Sequence, residues 1–211
     1  MPSRLLYVMD PMCSWCWGFA PVAQALIEQA EAAGVKTHLV LGGLRTGAGA
    51  ALDSTKRAYI LEHWQAVKEA TGQPFNLDNP LPEGFVYDTE PACRAVVTVR
   101  ELHEESAWPM VQRIQQAFYA QSRDTTRADV LVELGEAAGV PRIEFAAIFD
   151  TQPIHAATAQ DFAWVQDLGI AGFPTMLAER DGQLALLTNG YQPLEPLAVL
   201  LGRWLERGKD A

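Results

Sequence analysis

The amino-acid sequence predicts an α/β protein with strands near both ends of the chain and helices in the middle. Three observations support this fold class: short apolar runs near the N-terminus and after residue 169, a helical hydrophobic period between them, and glycine or proline at most boundaries. The predicted order is βαβ, a block of helices, and then α-ββα. With 211 residues, 49% of them hydrophobic, the chain is long enough to bury a substantial core.

The first elements are predicted to form a βαβ unit. The apolar run over residues 4–10 indicates a buried strand, which is stopped by Asp10-Pro11. A helix is predicted over 13–33 and a second strand over 36–41, each followed by glycine. Because a helix connects them, the two strands should lie parallel.

Between residues 54 and 168 the signals are almost entirely helical. Breakers that contain Gly or Pro separate six segments with a helical period, namely 54–71, 89–104, 106–122, 126–138, 142–149 and 154–168. We therefore predict an inserted helical domain over residues 51–149, with residues 1–50 and 150–211 forming a second, discontinuous domain.

The last elements are predicted to be a β-hairpin and a helix. Strands over 175–179 and 184–188 flank a turn that contains Asp181-Gly182, a strong hairpin signal. A final helix over 193–207 should turn its apolar residues inward, namely Leu194, Leu197, Leu200, Leu201 and Trp204.

Charge and hydropathy exclude several classes of function. The formal net charge is -10, from 16 basic and 26 acidic residues, and such a field disfavours nucleic acids and anionic membrane surfaces as partners. No apolar run approaches the ~20 residues that a membrane-spanning helix needs. The N-terminal apolar run is short and lacks a cleavage signal, so we expect a cytoplasmic protein whose thiols are kept mostly reduced.

The motif that carries chemistry is Cys13-Ser14-Trp15-Cys16, where the first strand gives way to the first helix. Cysteines three positions apart on a helix face the same side and can close a small disulfide. Cys13 lies at the helix N-terminus, where the dipole stabilises a thiolate, whereas Cys16 is expected to be buried and protonated. This asymmetry suits thiol–disulfide exchange, in which one thiol attacks and the other resolves. We predict no metal site, because zinc needs four ligands and the sequence has no second cysteine pair.

A second motif, Gly172-Phe173-Pro174-Thr175, comes directly before the hairpin. A proline that enters a strand is explained by a cis bond after residue 173, although a trans turn proline is the commoner case. The CxxC motif and the hairpin that follows favour the cis form. Beside the CxxC motif, such a loop would leave the backbone of residue 173 free to pair with an extended substrate.

Together these elements resemble the DsbA-like branch of the thioredoxin superfamily. Residues 10–19, DPMCSWCWGF, and residues 89–96, TEPACRAV, are similar to FrnE-type protein-disulfide isomerases that lack a signal peptide. The resemblance covers nearly the whole chain and implies a thioredoxin fold with a large all-helical domain inserted between its two halves. It also implies a thiol–disulfide oxidoreductase, either an isomerase or a reductase.

The resemblance assigns roles to individual residues. Cys13 would attack, Cys16 would resolve and Pro174 would be the cis-proline. Substrate contacts are expected from the residues that flank them, namely Ser14, Trp15, Phe173 and Thr175. No cofactor is expected beyond the redox-active disulfide, with glutathione a candidate co-substrate; the expected partners are a disulfide-containing protein or small thiol and a cellular thiol reductant. The dipeptide between the two cysteines is Ser-Trp, whereas the secreted oxidants of this family have Pro-His. We therefore do not expect this chain to share their strongly oxidising reduction potential.

Two other functions stay open. One is a glutathione-dependent isomerase or transferase related to kappa-class enzymes, in which a single Ser or Cys near the start of the first helix activates glutathione. The second cysteine, Cys16, argues against it. The other is a non-enzymatic, chaperone-like module that holds unfolded chains in an apolar cleft, which the six tryptophans permit.

Several weaker candidates also have structural explanations. Cys93 is either a third redox thiol or, more commonly, a free buried cysteine. Glu90 and Arg94 either line the mouth of a cleft or form an ion pair. Trp17 is expected to anchor the first helix to the helical block, and the glycine-rich segment 42–49 is interpreted as a mobile loop over the cleft. The four histidines are interpreted as surface or core residues: His38, His63, His103 and His155.

Overall fold

A computed structural model describes residues 3–47 and 49–208 and contains a mixed sheet. Its four strands are β1 (Arg4–Met9), β2 (Lys36–Leu41), β3 (Thr175–Arg180) and β4 (Gln183–Asn189). Their order in the sheet is β2-β1-β3-β4. β1 pairs in parallel with β2, whereas β3 runs antiparallel to both β1 and β4. The predicted parallel pair and the predicted hairpin are both confirmed.

Eight α-helices accompany the sheet in the described residues: α1 (Ser14–Ala32), α2 (Ser54–Thr71), α3 (Glu90–Leu102), α4 (Ala107–Gln115), α5 (Ala128–Ala137), α6 (Arg142–Ile148), α7 (Gln152–Asp167) and α8 (Leu194–Glu206). A π turn (Gln116–Ala120) extends α4. Every segment predicted to be helical contains a helix, and the α/β fold class is confirmed. Among these helices, none is both long and apolar enough to cross a membrane.

The strand β1 lies in the middle of the sheet, and its side chains alternate between two covered faces. Leu5, Tyr7 and Met9 join the main core, whereas Val8 packs with Val40 on the opposite face. Residues 5–9 are all buried, which explains why β1 has a continuous apolar sequence rather than an alternating one. The strand therefore delivers the loop that follows it into the interior of the molecule.

One hydrophobic core runs through both the sheet region and the helical block. It includes Leu26 from α1, Trp64 from α2 and Val96 from α3, all of them buried. Helices α2 to α6 lie between β2 and α7 in the sequence. The boundaries of the two domains, 1–50 with 150–211 and 51–149, stay a prediction.

The final helix, α8, shows one error in the predicted core. Leu197 and Leu201 are buried as expected, and Leu205 is buried too, but Leu200 is 41% exposed. Each residue of a helix is rotated by about 100° from the one before it. Leu197, Leu201 and Leu205 follow one another at intervals of four and so share one face, whereas Leu200 lies about 100° around the helix from the centre of that face. The predicted helical period is confirmed, but the predicted position of the buried apolar face of α8 was wrong at Leu200.

Candidate active site

The loop between β1 and α1 is held by the buried side chain of Asp10. Its Oδ1 atom accepts a hydrogen bond of 2.8 Å from the backbone N–H of Met12, and its backbone oxygen accepts one of 3.0 Å from the N–H of Cys13. The chain is extended at Cys13 and becomes helical at Ser14, so Cys13 is the N-cap residue of α1. The first cysteine therefore lies at the positive end of the helix dipole.

The two cysteines of the motif have different surroundings. Cys13 is 6% exposed, and its sulfur lies 3.7 Å from the carbonyl oxygen of Phe173. Cys16 is fully buried beside Cys13 and the phenol ring of Tyr7. Burial raises the pKa of Cys16 well above its ordinary value, and the neighbouring Cys13 raises it further. Cys16 is thus a buried, protonated thiol, as the sequence predicts.

The segment 172–175 lies opposite the CxxC motif. The Phe173–Pro174 peptide bond is cis, and Pro174 is buried. Gly172 and Phe173 line the space in front of Cys13. Thr175 does not line it: this residue is 2% exposed, and its Oγ1 donates a hydrogen bond of 2.9 Å to the carbonyl oxygen of Gly172. Because Thr175 does not line the cleft, its role in substrate binding stays a prediction.

A cleft of about 400 Å³ opens in front of Cys13, and we call it the Cys13 cleft. Its walls come from the start of α1, the loop after β2, one face of α2, the segment before α3 and the segment before β3. The lining residues are Cys13, Ser14, Trp15, Leu44, Arg45, Tyr59, Ile60, His63, Trp64, Tyr87, Gly172 and Phe173. Volumes of this order suit small ligands.

The two tryptophans near the motif have different environments. Trp15 is half-buried in the cleft wall, with its ring 6.0 Å from that of His63 and 5.9 Å from that of Tyr191. Trp17 is 9% exposed, stacks on Tyr119 at 6.2 Å, and donates a 3.0 Å hydrogen bond to the carbonyl oxygen of Pro74. Trp17 therefore ties α1 to the helical block, as expected, and Trp15 faces the cleft.

The third cysteine, Cys93, is buried behind the site. Its sulfur lies 3.4 Å from Oδ2 of Asp10. Burial and the nearby carboxylate raise the pKa of Cys93 well above its ordinary value. Burial also raises the pKa of Asp10, although hydrogen bonds from Thr89, Leu44 and Met12 oppose this effect. Cys93 does not line the Cys13 cleft, and its surroundings match those of a free buried cysteine.

The glycine-rich loop after β2 contributes to the cleft but is firmly attached. The N–H of Leu44 donates a 2.7 Å hydrogen bond to Oδ2 of Asp10, and the carbonyl oxygen of Arg45 accepts a 2.8 Å hydrogen bond from the N–H of Thr89. At Gly42, an added Cβ would lie 2.0 Å from the ring of Phe173, so only glycine allows that ring to approach. Leu44 and Arg45 are thus hydrogen-bonded to Asp10 and Thr89, and the mobility of the segment 42–49 stays a prediction; residue 48 lies outside the described residues.

Two of the weaker candidates are structural. Arg94 forms a 2.8 Å ion pair with Glu90 and donates a 2.8 Å hydrogen bond to the carbonyl oxygen of Phe149. Neither residue lines the Cys13 cleft. Across residues 3–47 and 49–208, no group of three or more His, Cys, Asp or Glu side chains is arranged to hold a metal ion.

Comparison with known families agrees with this geometry. Residues 4–202 match the model of the DSBA-like thioredoxin domain family. The chain belongs to the DsbA-like thioredoxin family.

Three relatives illustrate where this DsbA-like chain stands. A candidate protein disulfide isomerase from Nitrosomonas europaea is 40% identical, over 98% of this chain and 99% of that chain, with a TM-score of 0.90. The cytosolic disulfide reductase DsbM from Pseudomonas aeruginosa is 31% identical, over 95% and 98%, with a TM-score of 0.78, and its structure with GSH is also known. The ClpXP adapter protein SpxH from Halalkalibacterium halodurans is 19% identical over 91% of this chain, which spans only 64% of the length of that curated relative.

Several residues of this DsbA-like cleft were missed by the sequence analysis. Tyr59, His63 and Tyr87 line it, and His63 was expected to be a surface or core residue, whereas Arg45 belongs to the segment 42–49 that was expected to lie over the cleft. Tyr87 also supports the motif, because its hydroxyl donates a 2.6 Å hydrogen bond to the carbonyl oxygen of Met12. Tyr59, His63 and Tyr87 are each ordinary in their local sequence, and only the tertiary position of α2 and of the segment before α3 brings them to the cleft.

Proposed function

We propose that this DsbA-like oxidoreductase is a cytoplasmic dithiol–disulfide reductase that draws its electrons from a small thiol such as glutathione. The observation that carries this proposal is the asymmetry of the CxxC pair. Cys13 is the helix N-cap and faces the cleft, whereas Cys16 is buried beside it with a raised pKa. Such a pair provides one thiol that reacts with substrate and one that is held back.

The first step is attack on the substrate by Cys13. The thiolate of Cys13 forms a bond to one sulfur of a substrate disulfide, the substrate S–S bond breaks, and the other substrate sulfur leaves as a thiolate. The N–H groups in the first turn of α1 stabilise the negative charge on Cys13 before the attack. The product is a mixed disulfide between Cys13 and the remaining half of the substrate.

The second step is resolution by Cys16. Cys16 loses its proton and attacks the sulfur of Cys13, which breaks the mixed disulfide and releases the second substrate thiol. The enzyme is left with a Cys13–Cys16 disulfide, and two molecules of the reducing thiol regenerate the dithiol while forming one disulfide of their own. The high pKa of Cys16 keeps this thiol unreactive toward solutes until a mixed disulfide has formed.

The residues around the pair are proposed to hold the substrate. Ser14, Trp15 and Phe173 line the Cys13 cleft and supply apolar and polar contacts to it. Pro174 is assigned to the catalytic set on the family resemblance, and it lies next to Phe173, whose carbonyl oxygen is near the sulfur of Cys13. Thr175 is proposed to act indirectly, because its hydroxyl donates a hydrogen bond to the carbonyl oxygen of Gly172 in the cleft wall.

The direction of electron flow is proposed from the relatives and from the motif. One relative is named a cytosolic disulfide reductase and has been solved with GSH, and a second is described as a disulfide isomerase. The Ser-Trp dipeptide lacks the histidine found in secreted oxidants. The reductase relative and the Ser-Trp dipeptide favour a reducing pair, whereas the relative described as an isomerase makes isomerisation the competing outcome of the same chemistry.

The deciding measurement is the reduction potential of the Cys13–Cys16 pair. The protein is equilibrated in glutathione buffers, the thiols are trapped, and the redox state is determined by mass. A potential near about -270 mV supports the reductase, whereas one near about -180 mV contradicts it and favours an isomerase. A stable glutathione adduct with no intramolecular disulfide would instead favour the glutathione-dependent isomerase or transferase.

A Cys16→Ser variant tests the assignment of roles. With glutathione disulfide it should accumulate one glutathione on Cys13, because the mixed disulfide forms but is not resolved. Cys93→Ser is the matched control, since it replaces a buried thiol outside the cleft and should not accumulate the adduct. Accumulation on Cys16 or Cys93 in the native enzyme would contradict the assignment.

A further inference from the structure

The charge around the Cys13 cleft is opposite to that of the whole protein. The chain has a net charge of -10, with 26 acidic residues. Nevertheless, among the described residues no Asp or Glu lines the cleft or the hollow beside it, which is formed by Arg45, Thr55, Lys56, Tyr59 and Ile60. The formal positive charges at these two surfaces are those of Arg45 and Lys56, so an anion that enters the cleft meets cationic side chains and no acidic lining residue.

Arg45 is the better placed of these two cations. Lys56 is exposed and already lies 3.4 Å from the carboxylate of Asp53. The guanidinium of Arg45, by contrast, has no carboxylate within 4.0 Å among residues 3–47 and 49–208, and it lies over the ring of Tyr87, 5.0 Å from the ring centre. An exposed cation that is held on an aromatic face keeps its hydrogen-bond donors free for a ligand.

The position of Arg45 relative to Cys13 is fixed by a short series of contacts. The backbone of Arg45 forms two hydrogen bonds with the buried residue Thr89. The N–H of Arg45 donates to Oγ1 of Thr89 at 3.2 Å, and the carbonyl oxygen of Arg45 accepts from the N–H of Thr89 at 2.8 Å. The ring of Tyr87 supports the guanidinium, and the hydroxyl of the same tyrosine is bonded to Met12, the residue before Cys13. Tyr87 therefore links the guanidinium of Arg45 to the loop that carries Cys13.

We propose that Arg45 determines specificity by binding a carboxylate of small, carboxylate-bearing disulfides as Cys13 attacks them; glutathione disulfide serves only as an anionic probe of this step. This inference rests on the proposed function and names the substrate class for the same cleft. A guanidinium forms paired hydrogen bonds with a carboxylate, and a cleft of about 400 Å³ is of the size that holds a small ligand. Arg45 takes no part in the covalent step, in which the substrate S–S bond breaks and the Cys13–substrate bond forms.

The test compares three small disulfides that differ in charge: glutathione disulfide is anionic, hydroxyethyl disulfide is neutral and cystamine is cationic. Rates of Cys13 modification are measured by stopped flow for the reduced protein and for Arg45→Gln. We expect Arg45→Gln to react about tenfold more slowly with glutathione disulfide, at an unchanged rate with hydroxyethyl disulfide and faster with cystamine. About 0.5 M salt should remove most of the difference.

Two further variants make the result specific. Arg142→Gln on α6 removes one exposed cation that does not line the cleft and should leave all three rates unchanged. Arg45→Lys keeps the charge but loses the planar donor pair, and it should recover part of the rate with glutathione disulfide. Circular dichroism and thermal unfolding confirm that each variant is folded.

The outcomes separate this proposal from the proposed function. If Arg45→Gln slows all three disulfides equally, Arg45 acts only by supporting Tyr87, and the specificity proposal is wrong. If wild type shows no preference among the three, the proposal is wrong although the reductase assignment stands. If wild type reacts with none of them, the proposed function itself fails.

Discussion

The surroundings of Cys13 and Cys93 can be compared directly, because both residues donate a hydrogen bond to Asp10. The backbone N–H of Cys13 donates to the carbonyl oxygen of Asp10, whereas the thiol of Cys93 donates to its carboxylate. Cys13 lies at the start of a helix and at a cleft, but Cys93 lies inside α3 with its pKa raised by burial. The comparison therefore predicts that Cys13, which lies at a helix end and is accessible to solutes, is the reactive thiol of the two.

The largest expected effect is on turnover. Cys13→Ala should lower the rate of disulfide reduction by about a thousandfold or more, because the attacking sulfur is lost. Cys93→Ala should retain the rate within about twofold, since this thiol does not line the cleft. A glutathione reductase-coupled assay with hydroxyethyl disulfide measures both. Equal losses in the two variants would abolish the distinction between the two sites.

The next effect is on alkylation. In the reduced, folded protein, iodoacetamide at neutral pH should modify Cys13 at least about tenfold faster than Cys16 or Cys93, because each unit of raised pKa lowers the thiolate fraction tenfold. Peptide mapping by mass spectrometry gives the three rates. Adding urea should equalise them, since burial causes the protection. Rapid labelling of Cys93 in the folded protein would show that its burial is transient.

A third effect concerns stability at alkaline pH. The folded pKa values of Cys16 and Cys93 are raised above the ordinary value of about 9, so their contribution to stability is fully present below that pH. As the pH rises further, thiols in the unfolded chain ionise first, and the free energy of unfolding should fall by up to about 1.4 kcal/mol per pH unit for each thiol.

Urea denaturation of the reduced protein at several pH values between neutrality and about pH 10 measures this slope. Cys93→Ala should start less stable but lose stability less steeply, because one of the two titrating thiols has been removed. The difference between the two slopes isolates Cys93 from the buried tyrosines, which titrate in both proteins. Identical slopes would mean that Cys93 does not stay protonated in the fold.

The smallest effect separates the two tryptophans of the motif. Trp17→Phe removes the hydrogen bond to Pro74 and should lower the free energy of unfolding by about 1 kcal/mol, with little change in KM. Trp15→Phe should do the reverse, raising KM for disulfides while leaving stability nearly unchanged, because this ring lines the cleft. Denaturation curves and steady-state kinetics for both variants provide the check.

The sequence predicts local features of this fold well. The strands, the helices and the hairpin follow from hydrophobic periods and from breakers, and the CxxC motif at the start of α1 is visible as a motif. Cys16 could be predicted to be buried because it lies one turn inside a helix. The same local reasoning explains why Trp17 was expected to anchor α1.

Features that depend on tertiary packing could not be predicted in the same way. Arg45 and Tyr87 lie far apart in the sequence, and nothing local indicates that one stacks on the other beside Cys13. Leu200 satisfies the helical period, yet only the position of the sheet shows which side of α8 is buried. Likewise, nothing local shows that the glycine-rich loop is hydrogen-bonded to Asp10 and Thr89, because both residues lie far from it in the sequence.

The hydrogen bonds of Asp10 have a consequence for protein engineering. Its carboxyl group joins the loop before the CxxC motif through Met12, the loop after β2 through Leu44 and the helix α3 through Cys93. Transplanting the ten residues around the CxxC motif into another scaffold would therefore leave this buried carboxyl group without three of its four partners, namely Leu44, Thr89 and Cys93. A functional graft has to carry all three segments, so the smallest transferable unit of this enzyme is a discontinuous one.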